Sequence, residues 1–152
     1  MPDEKPVVAP VSPKGFASLP AFRRVSYLKK NAILLEDLVY VTVSGEKIIV
    51  PSGFETDFAS IPELFWNLPG FDSDGPAAVP AILHDFLYSC HGYGPYYKTR
   101  YECDRLLLEA MQLVGMSRVN CQLIYWNVRL FGGFYSASKP WNKDGAPKAT
   151  KV

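Results

Sequence analysis

The chain has no apolar run near the roughly 20 residues that a membrane-spanning helix requires, so we expect no membrane span. It also has no apolar segment of the secretory type near its start, so we expect no secretory signal. Cysteine is scarce, and an odd count of three does not indicate a disulfide framework. Neither sign of charge dominates, because 16 basic and 15 acidic side chains leave a net charge of +1. Without a basic stripe, nucleic acid is not an expected partner.

What the chain does contain is enough apolar material for one core, since 48% of its residues are hydrophobic and 14% are aromatic. Proline is concentrated near both ends, where periodic apolar content is low. We therefore predict a Pro-rich arm over residues 1–23, a single domain over 24–135, and a Lys/Pro-rich tail over 136–152. These ends are either disordered or extended arms that become ordered on a neighbouring subunit.

The first half of the domain has the composition of β-strands. Residues 38–43 and 47–50 are rich in β-branched side chains and are separated by Ser44-Gly45-Glu46, which predicts a hairpin. Residues 25–28 and 33–35 are candidates for one further strand. The second half is helical in its periodicity, so we predict an α+β fold in which a small antiparallel β-sheet precedes a three-helix unit.

Three helices are indicated by capping residues and glycines. Asp74 is placed to cap a helix that begins near Pro76 and ends near Gly92. The Thr99/Glu102 pair forms a capping box for a second helix that ends at Gly115. A third helix is predicted between the cap Ser117 and the pair Gly132-Gly133.

Candidate functional residues lie on the first two helices. On the first, His84, Tyr88 and His91 share one stripe, because positions i, i+4 and i+7 stack along a helix face. If the second helix runs antiparallel, the Asp104 carboxylate can accept a proton from the His84 ring and fix its tautomer. The other ring nitrogen would then serve as a base toward water. Asp85 points about 100° away from this dyad and is placed to bind a cation at its rim.

Three further polar residues have a structural and a functional interpretation. Thr56 and Asp57 follow the hairpin, where they form either a turn that closes the sheet onto the helices or a supporting acid beside His84. Arg129 stands among apolar residues, so we predict that it pairs with a buried acid, either Asp104 or Asp57. Pairing of Arg129 with Asp104 would weaken the case for a hydrolase.

The motif His84-Asp85-x-x-Tyr88, with Asp104 on an antiparallel helix, resembles the catalytic helix pair of phospholipase A2. The resemblance implies that His84 is the base that activates water and that Asp104 orients it. It further implies that Tyr88 hydrogen-bonds Asp104 and that Asp85 is a ligand of Ca²⁺, the one cofactor indicated.

A broader resemblance covers residues 24–133. Residues 50–62, Trp66, Pro69-Gly70, the helix of His84, residues 104–111 and residues 127–132 occur in the order and spacing of the phage and prophage family known as domain-of-unknown-function family 1353. It implies a protein of tailed phages, made in the host cytoplasm and carried in the tail region of the virion.

Two functions follow as expectations. The first is a tail or baseplate component that contacts other virion proteins through its arms and carries a His/Asp site between two helices. The alternative is an envelope-degrading hydrolase, directed at lipid or peptidoglycan, with His84 as general base, Asp104 as its partner and a divalent cation at Asp85.

Overall fold

The computed structural model describes residues 14–17, 21–24, 31–58 and 76–135, which form two small antiparallel sheets and three helices. The first sheet joins β1 (Gly15–Phe16), β4 (Leu38–Val41) and β5 (Lys47–Val50) in the order β1-β4-β5. The second joins β2 (Phe22–Arg24), β3 (Ala32–Leu34) and β6 (Glu55–Thr56) in the order β2-β3-β6. The predicted α+β class is confirmed, with the strands divided between two sheets.

The predicted hairpin is formed by β4 and β5, whose register pairs Leu38 with Val50 and Val41 with Lys47. Its turn is closed by the Thr42 amide, which donates to the Glu46 carbonyl, and Gly45 supplies the positive φ of 96° that this turn requires. Alternation places Ile48 and Val50 in the core, while Lys47 and Ile49 point outward.

Two strands lie within or begin within the segment predicted as an arm. β1 pairs with β4, and β2 pairs with β3 so that Phe22 is opposite Leu34. The candidate strand at 33–35 is present as β3, whereas residues 25–28 lie outside the described residues, as do 1–13 and 136–152.

The helices are α1 (Ala78–Ser89), α2 (Arg100–Leu113) and α3 (Arg118–Tyr135). The capping box of α2 is present, because the Thr99 hydroxyl accepts from the Glu102 amide and the Glu102 carboxylate accepts from the Thr99 amide. Ser117 caps α3 by accepting from the Asn120 amide. Among the described residues, no helix combines the length and apolarity needed to cross a membrane.

Two predicted helix ends differ from the structure. α1 begins at Ala78 with Ala77 at its N-cap position, and the predicted cap Asp74 lies outside the described residues. α3 does not end at Gly132-Gly133 but continues to Tyr135, so the prediction that this glycine pair terminates the helix was wrong. Gly132 lies within the helix against the Tyr88 side chain of α1, where the lack of a Cβ atom makes room for the tyrosine.

The core lies between the sheets and the helices, and α1 is its centre. Eight of the twelve residues of α1 are buried, and α1 and α3 both pack against α2. A side chain that projects from α1 toward α2 is therefore enclosed by the surrounding elements, unless a surface opening lies next to it. His84 is such a side chain.

Candidate functional site

One carboxylate on α2 joins side chains from all three helices. The Oδ1 atom of Asp104 lies 2.8 Å from His84 Nε2 and accepts a 2.5 Å hydrogen bond from the Tyr88 hydroxyl. Its Oδ2 atom accepts a 2.6 Å bond from Arg129 Nη1 on α3. His84, Tyr88, Asp104 and Arg129 are called the polar network below.

The i, i+4 spacing of His84 and Tyr88 brings both side chains to the same acid, as their shared helical stripe predicted. Their ring centroids are 4.1 Å apart. Asp104 pairs with both His84 and Arg129, because it uses one carboxylate oxygen for each.

Asp104 is fully buried, and His84 is only 2% exposed. Burial opposes ionisation of Asp104, but the hydrogen bond and charge of His84, with the bonds from Tyr88 and Arg129, hold the pKa of the carboxyl below its ordinary value. An ionised carboxylate offers only acceptors, so His84 Nε2 must carry the proton that lies between the two groups. The network therefore fixes the tautomer of His84.

The remaining members are held in their donor states. Burial raises the pKa of Tyr88, and its hydrogen bond to the Asp104 charge acts in the same direction, so the phenol remains protonated and donates. The hydrogen bond to Asp104 also raises the pKa of Arg129, whose cation is permanent at any relevant pH.

Arg129 is positioned by residues of α2 that sequence reasoning did not single out. Its guanidinium lies 5.4 Å from the centroid of the Tyr101 ring, at a distance where a cation is attracted to a π face. Its backbone carbonyl accepts a 3.2 Å bond from Arg100 Nη2. No spacing rule links residues 100 and 101 to residue 129, because the contact depends on how α2 and α3 cross.

Gly132 is a second residue that the sequence did not reveal as part of this region. A Cβ atom at this position would lie 2.8 Å from the Tyr88 hydroxyl oxygen and 3.3 Å from its ring. The glycine therefore makes room for the side chain that donates to Asp104.

Asp85 and Thr56 form a separate contact on another side of α1. The Thr56 hydroxyl donates to Asp85 Oδ2 and accepts a 3.1 Å bond from the amide of Phe58. Phe58 has a φ of 55°, a conformation that costs energy for a bulky residue. Thr56 thus ties α1 to the end of β6 and stabilises this turn, as its structural interpretation predicted.

Asp57 is exposed, one residue beyond β6. Asp85 has the oxygen chemistry that Ca²⁺ prefers. Within the described ranges, however, no group of three or more His, Cys, Asp or Glu residues is arranged to hold a metal ion. The roles of Asp57 as a supporting acid and of Asp85 as a calcium ligand stay predictions.

Comparison with known proteins gives a family without a function. The model of the family described as "Protein of unknown function (DUF1353)" matches residues 32–128, which include His84, Tyr88 and Asp104 and end one residue before Arg129. The uncharacterized protein y4jT of Sinorhizobium fredii is 28% identical over 99 residues, which are 65% of this chain and 28% of that protein. The chain thus spans well under half of that relative's length. No solved structure matches it.

Proposed function

The chain belongs to this family of proteins of unknown function, and we propose that it is a structural component of a tailed-phage particle, in the tail or baseplate. The observation that supports a structural role best is the closure of the polar network. Asp104 is fully buried, and both of its oxygens accept bonds from side chains of the chain itself. The network links α1, α2 and α3 through one acid.

The closed polar network favours a structural role over a catalytic one, because a general base must reach the water whose proton it removes. His84 is 98% enclosed by the chain. The Arg129 guanidinium also neutralises the charge with which Asp104 would stabilise a developing imidazolium. A buried acid with three hydrogen-bonding partners on two other helices favours one packing of the helix unit, since removal of one partner leaves an uncompensated charge.

The phage setting is supported by the order and spacing of the motifs over residues 24–133. In that setting the protein is made in the host cytoplasm and joins the tail region of the virion. Part of the predicted N-terminal arm, residues 1–23, belongs to the sheets as β1 and β2. The Pro-rich residues 1–13 and 136–152 have the composition of arms that extend across neighbouring virion proteins.

The test is quantitative mass spectrometry of density-purified particles from the phage or prophage that encodes the chain. We expect the chain in a fixed ratio to the other tail proteins, retained after a high-salt wash. Its presence only in the soluble lysate, with intact particles that lack it, would reject the proposal.

One observation favours a second function, that of an envelope-directed hydrolase. His84 Nε2 and the Tyr88 hydroxyl meet on the same oxygen of Asp104, the arrangement that the phospholipase A2 resemblance implies. In this case His84 is the general base, Asp104 orients it, and Asp85 binds a divalent cation.

Hydrolysis can be tested with the full chain, phosphatidylglycerol vesicles or purified peptidoglycan, and either Ca²⁺ or EDTA. The informative variant is His84→Asn, and His91→Asn is the matched control because these are the two histidines of the chain. The structural proposal expects no product that depends on His84. Product lost in His84→Asn and retained in His91→Asn would establish the hydrolase instead.

A further inference from the structure

An apolar stripe runs along the outward face of α3. Its four residues are exposed to 69% (Val119), 44% (Leu123), 56% (Trp126) and 66% (Leu130). They follow one another at intervals of four, three and four residues, so they lie on one face over about 17 Å of helix. These residues are called the α3 stripe below.

The α3 stripe lies opposite the face by which α3 joins the core. Cys121, Ile124 and Val128 are buried, and on a helical projection they centre about 180° from the stripe. α3 is therefore apolar on two opposite faces, although a surface helix ordinarily has one apolar and one polar face. A contiguous exposed apolar surface of this kind marks an interaction site.

The pattern of the stripe is that of a helix pair. Intervals of four and three residues are the d and a positions of a heptad, which interdigitate with an equivalent helix. A shallow groove of about 410 Å³, lined by Val119, Leu123, Trp126 and their polar neighbours Arg118 and Gln122, lies along it. Apolar side chains from a facing helix would lie in it.

The charges of α3 point to the identity of that helix. The positions flanking the stripe are the amides Asn120, Gln122 and Asn127, together with Arg129, whose guanidinium is bonded to Asp104. α3 contains no acidic residue that would recognise a basic partner. Its amide flanks carry no charge that would repel a copy of α3, and the charge of Arg129 is balanced by Asp104. An antiparallel arrangement also keeps the two Arg118 side chains at opposite ends and opposes the helix dipoles.

We infer that the α3 stripe is the contact surface of a homodimer, in which α3 packs antiparallel against α3 of a second copy. Leu123 then faces Trp126 of the partner subunit, and Val119 faces Leu130 of the partner subunit. Such a two-fold contact uses the same patch on both chains. The inference goes beyond the proposed function, since it concerns a surface away from the polar network and holds whether or not the chain enters a particle.

Sedimentation equilibrium of the full chain over a concentration series tests the inference. We expect a species of about 34 kDa, twice the chain mass of 17.0 kDa. Leu123→Glu and Trp126→Lys should each raise the dimer dissociation constant at least about 100-fold, because each buries an unpaired charge at the centre of the contact. Since both positions are exposed in the single chain, both variants should unfold at temperatures close to that of the unmodified chain diluted below its dissociation constant. Leu35→Glu is the matched control, because Leu35 is 52% exposed but lies beside β3, and it should leave the dissociation constant unchanged.

Mixing the two charged variants tests the direction of the helices. In the antiparallel pair, Glu at one position meets Lys at the other, so an equimolar mixture should recover the 34 kDa species that neither variant forms alone. A monomer at every concentration, or a dimer that Leu123→Glu does not weaken, would overturn the inference. Recovery with Leu123→Glu and Leu123→Lys instead would overturn the antiparallel arrangement. A monomer whose stripe variants fail to enter particles would identify another virion protein as the partner.

Discussion

Gly132 occupies the point where α3 passes the Tyr88 side chain, and its Cβ position lies 2.8 Å from the Tyr88 hydroxyl oxygen. Gly132→Ala should lower the free energy of unfolding by about 1–3 kcal/mol, because the added methyl displaces a hydroxyl that donates to a buried carboxylate. Without a clash, replacing Gly by Ala within a helix stabilises the fold by about 1 kcal/mol. Any net loss of stability in Gly132→Ala is therefore smaller than the cost of the clash itself. Urea unfolding followed by circular dichroism measures the change.

Tyr88→Phe provides the control for this prediction, because it removes the hydroxyl that the methyl would strike. In the Tyr88→Phe background, Gly132→Ala should cost less than in the unmodified chain, and the difference is the coupling energy of the pair. Equal costs in both backgrounds would show that the methyl is accommodated without moving the hydroxyl.

For individual residues, the sequence predicted roles that depend on charge and hydrogen bonding better than roles that depend on side-chain size. A lone cation among apolar residues had to pair with an acid, and Arg129 does pair with Asp104. Helical spacing likewise placed His84 and Tyr88 on one stripe. Gly132 was misinterpreted as a helix end, because a glycine that can stop a helix can also make room for a side chain of another element. Only the position of the Tyr88 side chain against α3 distinguishes these uses.

At the scale of the elements, the capping box of α2 is the clearest local device. Thr99→Ala should lower the free energy of unfolding by about 1 kcal/mol, since the Glu102 amide loses its acceptor. Ser89→Ala is a suitable comparison, because Ser89 is an exposed helical residue whose hydroxyl bonds the Phe86 carbonyl, and we expect a change within about 0.5 kcal/mol. Equal urea midpoints for the two variants would argue that the capping box contributes nothing to the free energy of unfolding.

Elements with a local signal were the ones that could be predicted. The hairpin has β-branched runs and a Gly turn, α2 has its capping box, and Gly115 adopts the φ of 83° expected just after a helix. The strands β1, β2 and β6 have two or three residues each, too few for an alternating pattern to be recognised. They are strands because partners distant in the chain pair with them, and such pairing leaves no mark on the sequence.

For the molecule as a whole, the predicted class held, while the division of the strands into two sheets did not follow from the residues. The α+β order was evident from the change of periodicity along the chain. The residues predicted one sheet, but the neighbouring strands β3 and β4 do not pair with each other: β4 pairs with β1 and β5, and β3 pairs with β2 and β6. The polar network and β6 contact α1 on different sides, so the position of His84 depends on the entire assembly of elements.

The stability of the whole molecule should therefore depend on the ionisation of Asp104. The folded pKa of this carboxyl lies below its ordinary value of about 3.9, so its contribution is fully present above that value and is lost as the pH falls through the folded pKa. Between pH 7 and about pH 2 the free energy of unfolding should decrease, and Asp104→Asn should flatten part of that decrease because the titrating group is gone.

Asp104→Asn should also cost about 2–4 kcal/mol at pH 7, since Arg129 and His84 lose the charge that they face, and Arg129 is partly solvated. Asp37→Asn is the matched control, an exposed acid that accepts from the Ser52 amide and should leave most of the pH dependence intact. Urea unfolding of the three proteins at several pH values supplies both comparisons. A slope in Asp104→Asn as steep as that of the unmodified chain would mean that other carboxyls govern acid unfolding. The polar network would then not be the acid-sensitive contact that holds the helices together.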